Sequence, residues 1–159
     1  MSEKKPWYEE VAMPALLRHA RTTYGRAMRR ALAEAGYDDI PKNGLYIIGG
    51  LALGADGLPL GQLVKELGVS KQAAGQLVDV LVLRGYLERT VDSEDRRKLT
   101  INLTERGRAA AAAQAAALQI IDAELLARVG QEEVNCTRRT LAVLIHLGNQ
   151  NNEEEEDDH

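Results

Sequence analysis

The sequence predicts a mainly α-helical chain whose β structure is one short hairpin, and three observations lead there. Residues 83–107, LRGYLERTVDSEDRRKLTINLTERG, lay a charged tip between two strand-like runs and end in a helix start. Just before them, residues 60–84 read as two amphipathic helices separated by three residues, so the two must cross at a steep angle. Long helical patterns with apolar stripes occupy both ends of the chain. The fold class that results is a winged helix-turn-helix core with a small β-hairpin wing, flanked by N- and C-terminal helices.

The elements follow in order. Trp7 to Met13 is a lead-in, because Pro14 is tolerated only in the first turn of a helix. From Pro14 to about Ala35 one face carries Leu17, Tyr24, Ala27, Met28, Ala31 and Leu32, with Arg18, Arg26, Arg29 and Arg30 around the other sides. A second helix is expected from about Lys42 to Leu53, ended by the Gly54-Ala55-Asp56-Gly57 turn. Gly49 and Gly50 inside it, and Gly75 in a later helix, are permissive residues that weaken helical rigidity. Leu60 to Leu67 is a short amphipathic helix closed by Gly68, and Ser70 stands at the N-cap of the next helix, Lys71 to Arg84. Ala74, Leu77, Val78 and Leu81 form its buried stripe, and Gly85 stops it.

In the hairpin, Leu99, Ile101 and Leu103 alternate with Thr100 and Asn102, and Leu87 to Val91 supplies the antiparallel partner. Thr104 to Val129 is the longest expected helix, ~39 Å at 1.5 Å per residue. Its first half, Ala109 to Ala117, is almost entirely alanine, whereas Leu118, Ile121, Leu125 and Val129 make a true apolar stripe. A last helix from about Gln131 to Leu147 groups Val134, Leu141, Leu144 and Ile145.

The candidate functional residues lie on two surfaces. On the helix opening at Ser70, the face away from the stripe carries Lys71, Gln72, Gly75, Gln76 and Asp79. Glutamine can bond adenine at two points, lysine can reach guanine or phosphate, and Gly75 leaves room for close approach. Asp79 would repel phosphate, so only the N-terminal half of this helix is expected to enter a groove. At the hairpin tip Arg96 and Arg97 project from a turn, which suits groups that reach a phosphate or a narrow groove. Plainer readings stand beside these: the glutamines as ordinary exposed helix formers, the arginines as solvated turn residues, and Ser70 as a cap only.

The run Asp95-Arg96-Arg97, five further residues, then Leu103-Thr104 and Gly107 resembles the wing signature of the MarR family, the multiple-antibiotic-resistance regulators. The preceding LGQLVKELGVSKQAAGQLVDVLVLRGYLER resembles the same family's helix-turn-helix, and the flanking helices agree in order and length. The resemblance implies one domain over residues 1–148, with dimerisation helices at about 7–35 and 104–148 and the winged helix-turn-helix at about 41–103. It implies a homodimer that presents two copies of the Lys71 to Arg84 helix to successive major grooves of double-stranded DNA, about 34 Å apart, on an inverted repeat. Asp95 would then orient a wing arginine. A transcription regulator of this kind, a repressor, would release DNA when a small ligand binds. In the family, a cleft between the dimer helices and the DNA-binding lobe receives small, often aromatic or phenolic, anionic compounds. Arg18, His19, Arg21, Tyr24 and Tyr46 are the candidates to line it here, and helical register alone leaves open which point inward.

Composition bounds these readings. A chain of 159 residues can bury one respectable core, and with no Phe and one Trp its packing must be aliphatic. A single Cys excludes an intramolecular disulfide, and no charged-then-apolar leader opens the sequence, so a cytoplasmic location is expected. The apolar run Leu45 to Leu53 is far shorter than the ~20 residues of a spanning helix, so no membrane partner is expected. The net charge of −4 becomes +2 once the six acids of Glu153 to Asp158 are set aside, and residues 149–159 read as an acidic, disordered tail without counterpart in the family. Between Leu60 and Arg108 nine Lys or Arg face seven Asp or Glu, so DNA affinity must come from local placement of a few cations. That weak charge is the best support for a different class, a winged helix used as a protein-interaction module. No phosphate-cradling loop or nucleophile motif suggests an enzyme, no cofactor is expected, and His19, His146 and His159 are too scattered for a metal site. Cys136 reads as a packing residue of the last helix.

Overall fold

The computed structural model describes residues 5–53, 60–91, 94–96 and 99–157, with Leu99 and residues 150–157 described by backbone alone. The chain divides into two compact units, Met1–Gln119 and Ile120–His159. In the first, a 3-10 turn at Trp7–Glu9 precedes helices α1 (Met13–Glu34), α2 (Gly44–Leu51), α3 (Leu60–Leu67) and α4 (Lys71–Leu83). Strands β1 (Leu87–Val91) and β2 (Leu99–Leu103) follow, and then α5 (Glu105–Asp157), whose first turns belong to this unit. The mainly helical winged helix-turn-helix with a two-stranded antiparallel hairpin is therefore what the sequence predicts.

The core of this unit is aliphatic around one tyrosine. Leu45, Ile47 and Ile48 of α2, Leu81 of α4, Leu87 of β1 and Tyr86 are its largest fully buried side chains, joined by Met28 and Leu32 from α1 and Ala110 and Ala111 from α5. Burying each large aliphatic side chain is worth roughly 1.5–3 kcal/mol, so α2, with three of them in eight residues, is the hub of the unit. It is shorter at both ends than expected, and its start is delayed by a turn over Pro41 to Gly44 closed by Gly44 N–H donating to the Pro41 carbonyl at 2.8 Å. The Gly54 to Gly57 turn lies outside the described residues. Of the paired glycines inside α2, Gly50 has a packing reason: a Cβ there would collide with Cδ2 of Leu63 on α3. Small residues here let α3 lie directly against α2.

The hairpin is tied to the helices by the residues that end β2. Thr104 Oγ1 accepts from Gly107 N–H at 3.0 Å, capping α5, and donates to the Gly85 carbonyl just beyond α4 at 2.5 Å. Thr104 N–H bonds the Tyr86 carbonyl at 3.1 Å. Gly107 packs so closely here that a Cβ would run into that carbonyl oxygen. The Leu-Thr-x-x-Gly part of the wing motif is thus a joint holding the end of α4, both strands and the start of α5.

α5 contains one non-helical residue, Gly130, at φ 82° and ψ 165°. The break falls where the sequence separates its last two helices, and glycine adopts this backbone without the Cβ strain other residues would suffer. By length, and by one 18-residue stretch of mean hydropathy 1.3 within Glu105–Asn149, α5 passes for a membrane-crossing helix. Its apolar character there is largely alanine, and Ala110, Ala111 and Ala117 lie in the core of the first unit. In the second unit Ile120, Leu125, Leu126, Val129, Val143, Leu144, Ile145 and Leu147 are exposed, and Val134 and Leu141 are half-buried. Cys136, expected to pack, is exposed instead. It stands two positions from Val134, about 200° around the helix. Helical backbone continues through Asp157, across the acidic block read as a disordered tail, since no proline interrupts it and glutamate is a good helix former.

Candidate nucleic-acid interface and ligand cleft

The α4 helix is built as a two-faced rod. Ser70 takes an extended conformation, φ −63° and ψ 157°, and its Oγ accepts from Ala73 N–H at 3.1 Å. Ala74, Val78 and Leu81 are buried and Leu77 is half-buried, so the expected stripe is the packed one. Lys71, Gln72, Gly75 and Gln76 are all exposed together on the other side. No atom lies within 4 Å of where a Gly75 Cβ would stand, so no contact of the described residues requires glycine there. Asp79, further along the same face, is exposed and ion-paired with Arg89 of β1. Its charge, expected to repel phosphate, is thus countered within the unit.

The wing has the register that alternation implies: Leu87 faces Leu103, Arg89 faces Ile101 and Val91 faces Leu99. Leu87 and Leu103 are buried, anchoring its base. Its polar side is cross-linked by hydroxyls and an amide, with Thr90 Oγ1 2.8 Å from Thr100 Oγ1 and Asn102 Nδ2 donating to Thr90 Oγ1 at 2.7 Å. Arg96 sits in a turn at the tip and is exposed, as is Asp95 beside it. Arg97 lies outside the described residues.

Sequence reasoning missed a cluster at the wing's root. The Tyr86 hydroxyl donates to Asp39 Oδ1, Arg84 donates to the Asp39 carbonyl, and Arg106 donates to the Tyr86 hydroxyl at 2.9 Å. The Arg106 guanidinium also lies 4.6 Å from the Tyr86 ring centre and 5.3 Å from that of Tyr37. The hydrogen bond from Tyr86 holds the Asp39 carboxyl below the usual carboxylate range, helped by Arg106 and Arg84. Burial, reinforced by Asp39, pushes the Tyr86 phenol up to about 12. The cluster fastens the α1–α2 connection, the end of α4 and the start of α5 to one side chain. Its partners are 47 and 20 residues from Tyr86, beyond the reach of any local pattern.

A separate cleft of about 440 Å³ opens among α1, α2, α3 and α5, within the range of small-molecule sites. Of the five candidates for such a cleft, Arg21 and Tyr46 line it, and the Arg21 guanidinium carbon stands 4.5 Å from the centre of the Tyr46 ring. Arg18, His19 and Tyr24 are not among its lining residues: Arg18 and His19 are exposed, and Tyr24 packs against the core. The reading missed Gln114, the one buried polar side chain among the described residues, which also lines the cleft. Its signal was present as the single polar residue in the alanine run 109–117.

Residues 44–98, from the start of α2 through the wing tip, match a family model described as MarR family. Among solved structures the chain is similar to CouR from Rhodococcus jostii RHA1 bound to p-coumaroyl-CoA, with 25% identity, 81% of this chain and 88% of that one covered, and a TM-score of 0.64. A transcriptional regulator (MarR family) from Rhodococcus sp. RHA1 is similar at 21% identity, covering 89% and 97%, with a TM-score of 0.65. A mutant of MepR from S. aureus bound to an oligodeoxyribonucleotide is similar at 21% identity, covering 86% and 97%, with a TM-score of 0.52. A comparison with curated protein sequences gave no match.

Proposed function

We propose that this chain, a member of the MarR family of DNA-binding transcription regulators, is a homodimeric repressor that grips an inverted-repeat operator and lets go when a small ligand binds. The observation that carries the reading is the α4 rod: its packed face is fully used by the core, and its free face groups Lys71, Gln72, Gly75 and Gln76 on the N-terminal half. Those side chains would meet base edges in a major groove, with Ser70 capping the helix and its end turned toward phosphate. Arg96 and Arg97 would reach the adjoining minor groove or backbone, with Asp95 orienting one of them. The pairing of Asp79 with Arg89 supports deeper contact than the sequence suggests, because the carboxylate no longer stands alone before phosphate.

Two subunits are needed for this geometry, since one helix reads only a few base pairs. The exposed Ile120, Leu125, Leu126, Val129, Val143, Leu144, Ile145 and Leu147 of the second unit, together with Trp7, Tyr8 and Met13, support self-association, because so much large apolar surface is costly in water. The cleft lined by Arg21 and Tyr46 supports a ligand with an aromatic body and an anionic group. The CouR structure bound to p-coumaroyl-CoA, an aromatic thioester carrying phosphates, agrees with that chemistry. Release requires the ligand to bind the DNA-incompetent arrangement more tightly than the competent one. DNA as partner places its work in the cytoplasm.

Selection of bound sequences from a random DNA pool tests the reading. A palindromic winner with half-sites about one helical turn apart is expected, with affinity that falls steeply as salt rises. Absence of any enriched sequence would favour a protein-interaction module instead.

A further inference from the structure

Helix α1 carries a cationic face to which neither the core nor the two surfaces described above gives a task. At 3.6 residues per turn, Arg18, His19, Arg26, Arg29 and Arg30 fall within about 120° of its circumference, and all five are exposed. The buried Gly25, Met28 and Leu32 lie outside that arc, as does Arg21, which is held over the Tyr46 ring. Thr22, inside the arc, has its hydroxyl committed to the Arg18 carbonyl at 2.9 Å. Glu34 is the one acid of α1, and none of the four arginines is ion-paired among the described residues. Like charges three and four positions apart on a helix repel, so this face is unfavourable until an anion meets it.

The opposite charge is gathered at the other end of the chain. Glu153 to Asp158 are six acids in a row, and the backbone is helical through Asp157. They crowd a helix C-terminus, where the macrodipole favours cations, and its last turn holds no basic residue. Glutamate's helix propensity is therefore opposed here by the dipole and by like-charge repulsion, and a cationic surface relieves both. The lengths agree: Arg18 to Arg30 extends about 18 Å along a helix axis, and residues 149–157 about 12 Å. Both charged segments also continue from apolar ones. Leu144, Ile145 and Leu147 are exposed shortly before the acids, and Trp7, Tyr8 and Met13 shortly before the arginines.

We propose that the cationic face of α1 is the docking surface for the acidic C-terminal segment of a second copy of this chain, with one such contact in each direction about a two-fold axis. This rests on the homodimer reading, and it adds a salt-sensitive clamp that sets how tightly the two copies hold.

Analytical ultracentrifugation of full-length variants tests the clamp. One variant neutralises the tail, with Glu153→Gln, Glu154→Gln, Glu155→Gln, Glu156→Gln, Asp157→Asn and Asp158→Asn. A second reverses the face, with Arg26→Glu, Arg29→Glu and Arg30→Glu. Each should weaken dimerisation at least about tenfold at low salt, and the deficit of the first should vanish near 1 M, where charges are screened within about 3 Å. Mixing the two variants then shows whether the contact runs between copies. The reversed copy keeps an acidic tail and the neutralised copy keeps an arginine face, so mixed dimers should form beyond their statistical share in native mass spectrometry. Purely statistical mixing would overturn docking between copies. The tail variant alters no core residue, so it remains informative even if the reversal variant misfolds. Dimer affinity unchanged by neutralising the tail would refute the clamp and leave the homodimer standing. Reversal that weakens DNA binding but not dimerisation would make the face a phosphate contact and refute the clamp as well. A chain that stays monomeric in every form at millimolar concentration would remove both the clamp and the self-association it rests on.

Discussion

Gly75→Ala separates fold from function with opposite signs. Gly75 is the fifth residue of the thirteen in α4, and the added Cβ would meet no atom within 4 Å. Glycine in an exposed helix interior costs roughly 0.5–1 kcal/mol relative to alanine, so the variant should be more stable by that amount. For a chain of this length that corresponds to a melting temperature about 1–4 °C higher. The same methyl group would stand between Gln72 and Gln76, one turn of helix apart, on the face proposed to enter the groove. Where two surfaces already touch, an extra methyl typically costs about 1–3 kcal/mol. That is roughly a 5- to 140-fold loss of DNA affinity for each recognition helix. Thermal melting and fluorescence anisotropy on the selected operator, at one fixed salt concentration, read both effects. A stabilised variant with undiminished affinity would refute close approach at Gly75, and a destabilised one would refute the open surroundings assigned to it.

Three further perturbations address the other parts. Arg96→Ala should weaken binding to all DNA sequences alike and lower the log–log salt slope by about one per subunit, measured by titration across salt concentrations. Gln72→Ala should instead lose about 1–3 kcal/mol on the selected operator and relax preference at one base pair per half-site, seen by repeating the selection with the variant. At the wing's root, the Tyr86 phenol is raised from 10.0 to about 12, so its contribution to stability is complete below pH 10 and is lost as pH rises toward 12. The lowered Asp39 carboxyl works in the other direction, contributing above its unfolded pKa near 4 and losing that contribution as pH falls through its lower folded value. Tyr86→Phe should flatten the alkaline limb of stability against pH in denaturant titrations, and Asp39→Asn the acid limb.

What the sequence disclosed was whatever is encoded within one turn of chain. Ser70 followed by a periodic stripe marks a cap and a helix, and alternation from Leu99 to Leu103 marks a strand with its partner in register. Gly130 marks the break in the long helix for the same reason, since its backbone conformation is set locally. Spatial proximity between distant positions left no such trace. Asp39 and Tyr86 touch across 47 residues, so the root cluster could not be read from spacing, and Gln114, which reaches the Leu45 carbonyl across 69, stood out only as the one polar residue of the alanine run. Register also failed to sort the α1 candidates. Arg18 and Arg21 are three positions apart and share a face, yet only Arg21 lies over Tyr46, because α2 passes that side of α1 near Gly25. There a Gly25 Cβ would stand 3.3 Å from the Tyr46 hydroxyl.

Under the proposed function, the path from ligand to groove is short, and α2 supplies it. Leu45, Tyr46, Gly49 and Gly50 line the cleft, while Gly44 at the start of the same helix sits where a Cβ would be 3.1 Å from Cδ2 of Leu81 on α4. Leu81 is fully buried, so α2 cannot shift at that end without moving the rod or opening a gap beside it. A ligand that spreads the cleft therefore acts on an element already in contact with the recognition helix. The tyrosine cluster opposes that movement by holding the α1–α2 connection and the far end of α4 to Tyr86. If a ligand does release this chain from DNA, these contacts would pass a small displacement at the cleft on to the rod, which is the mechanical property that reading requires.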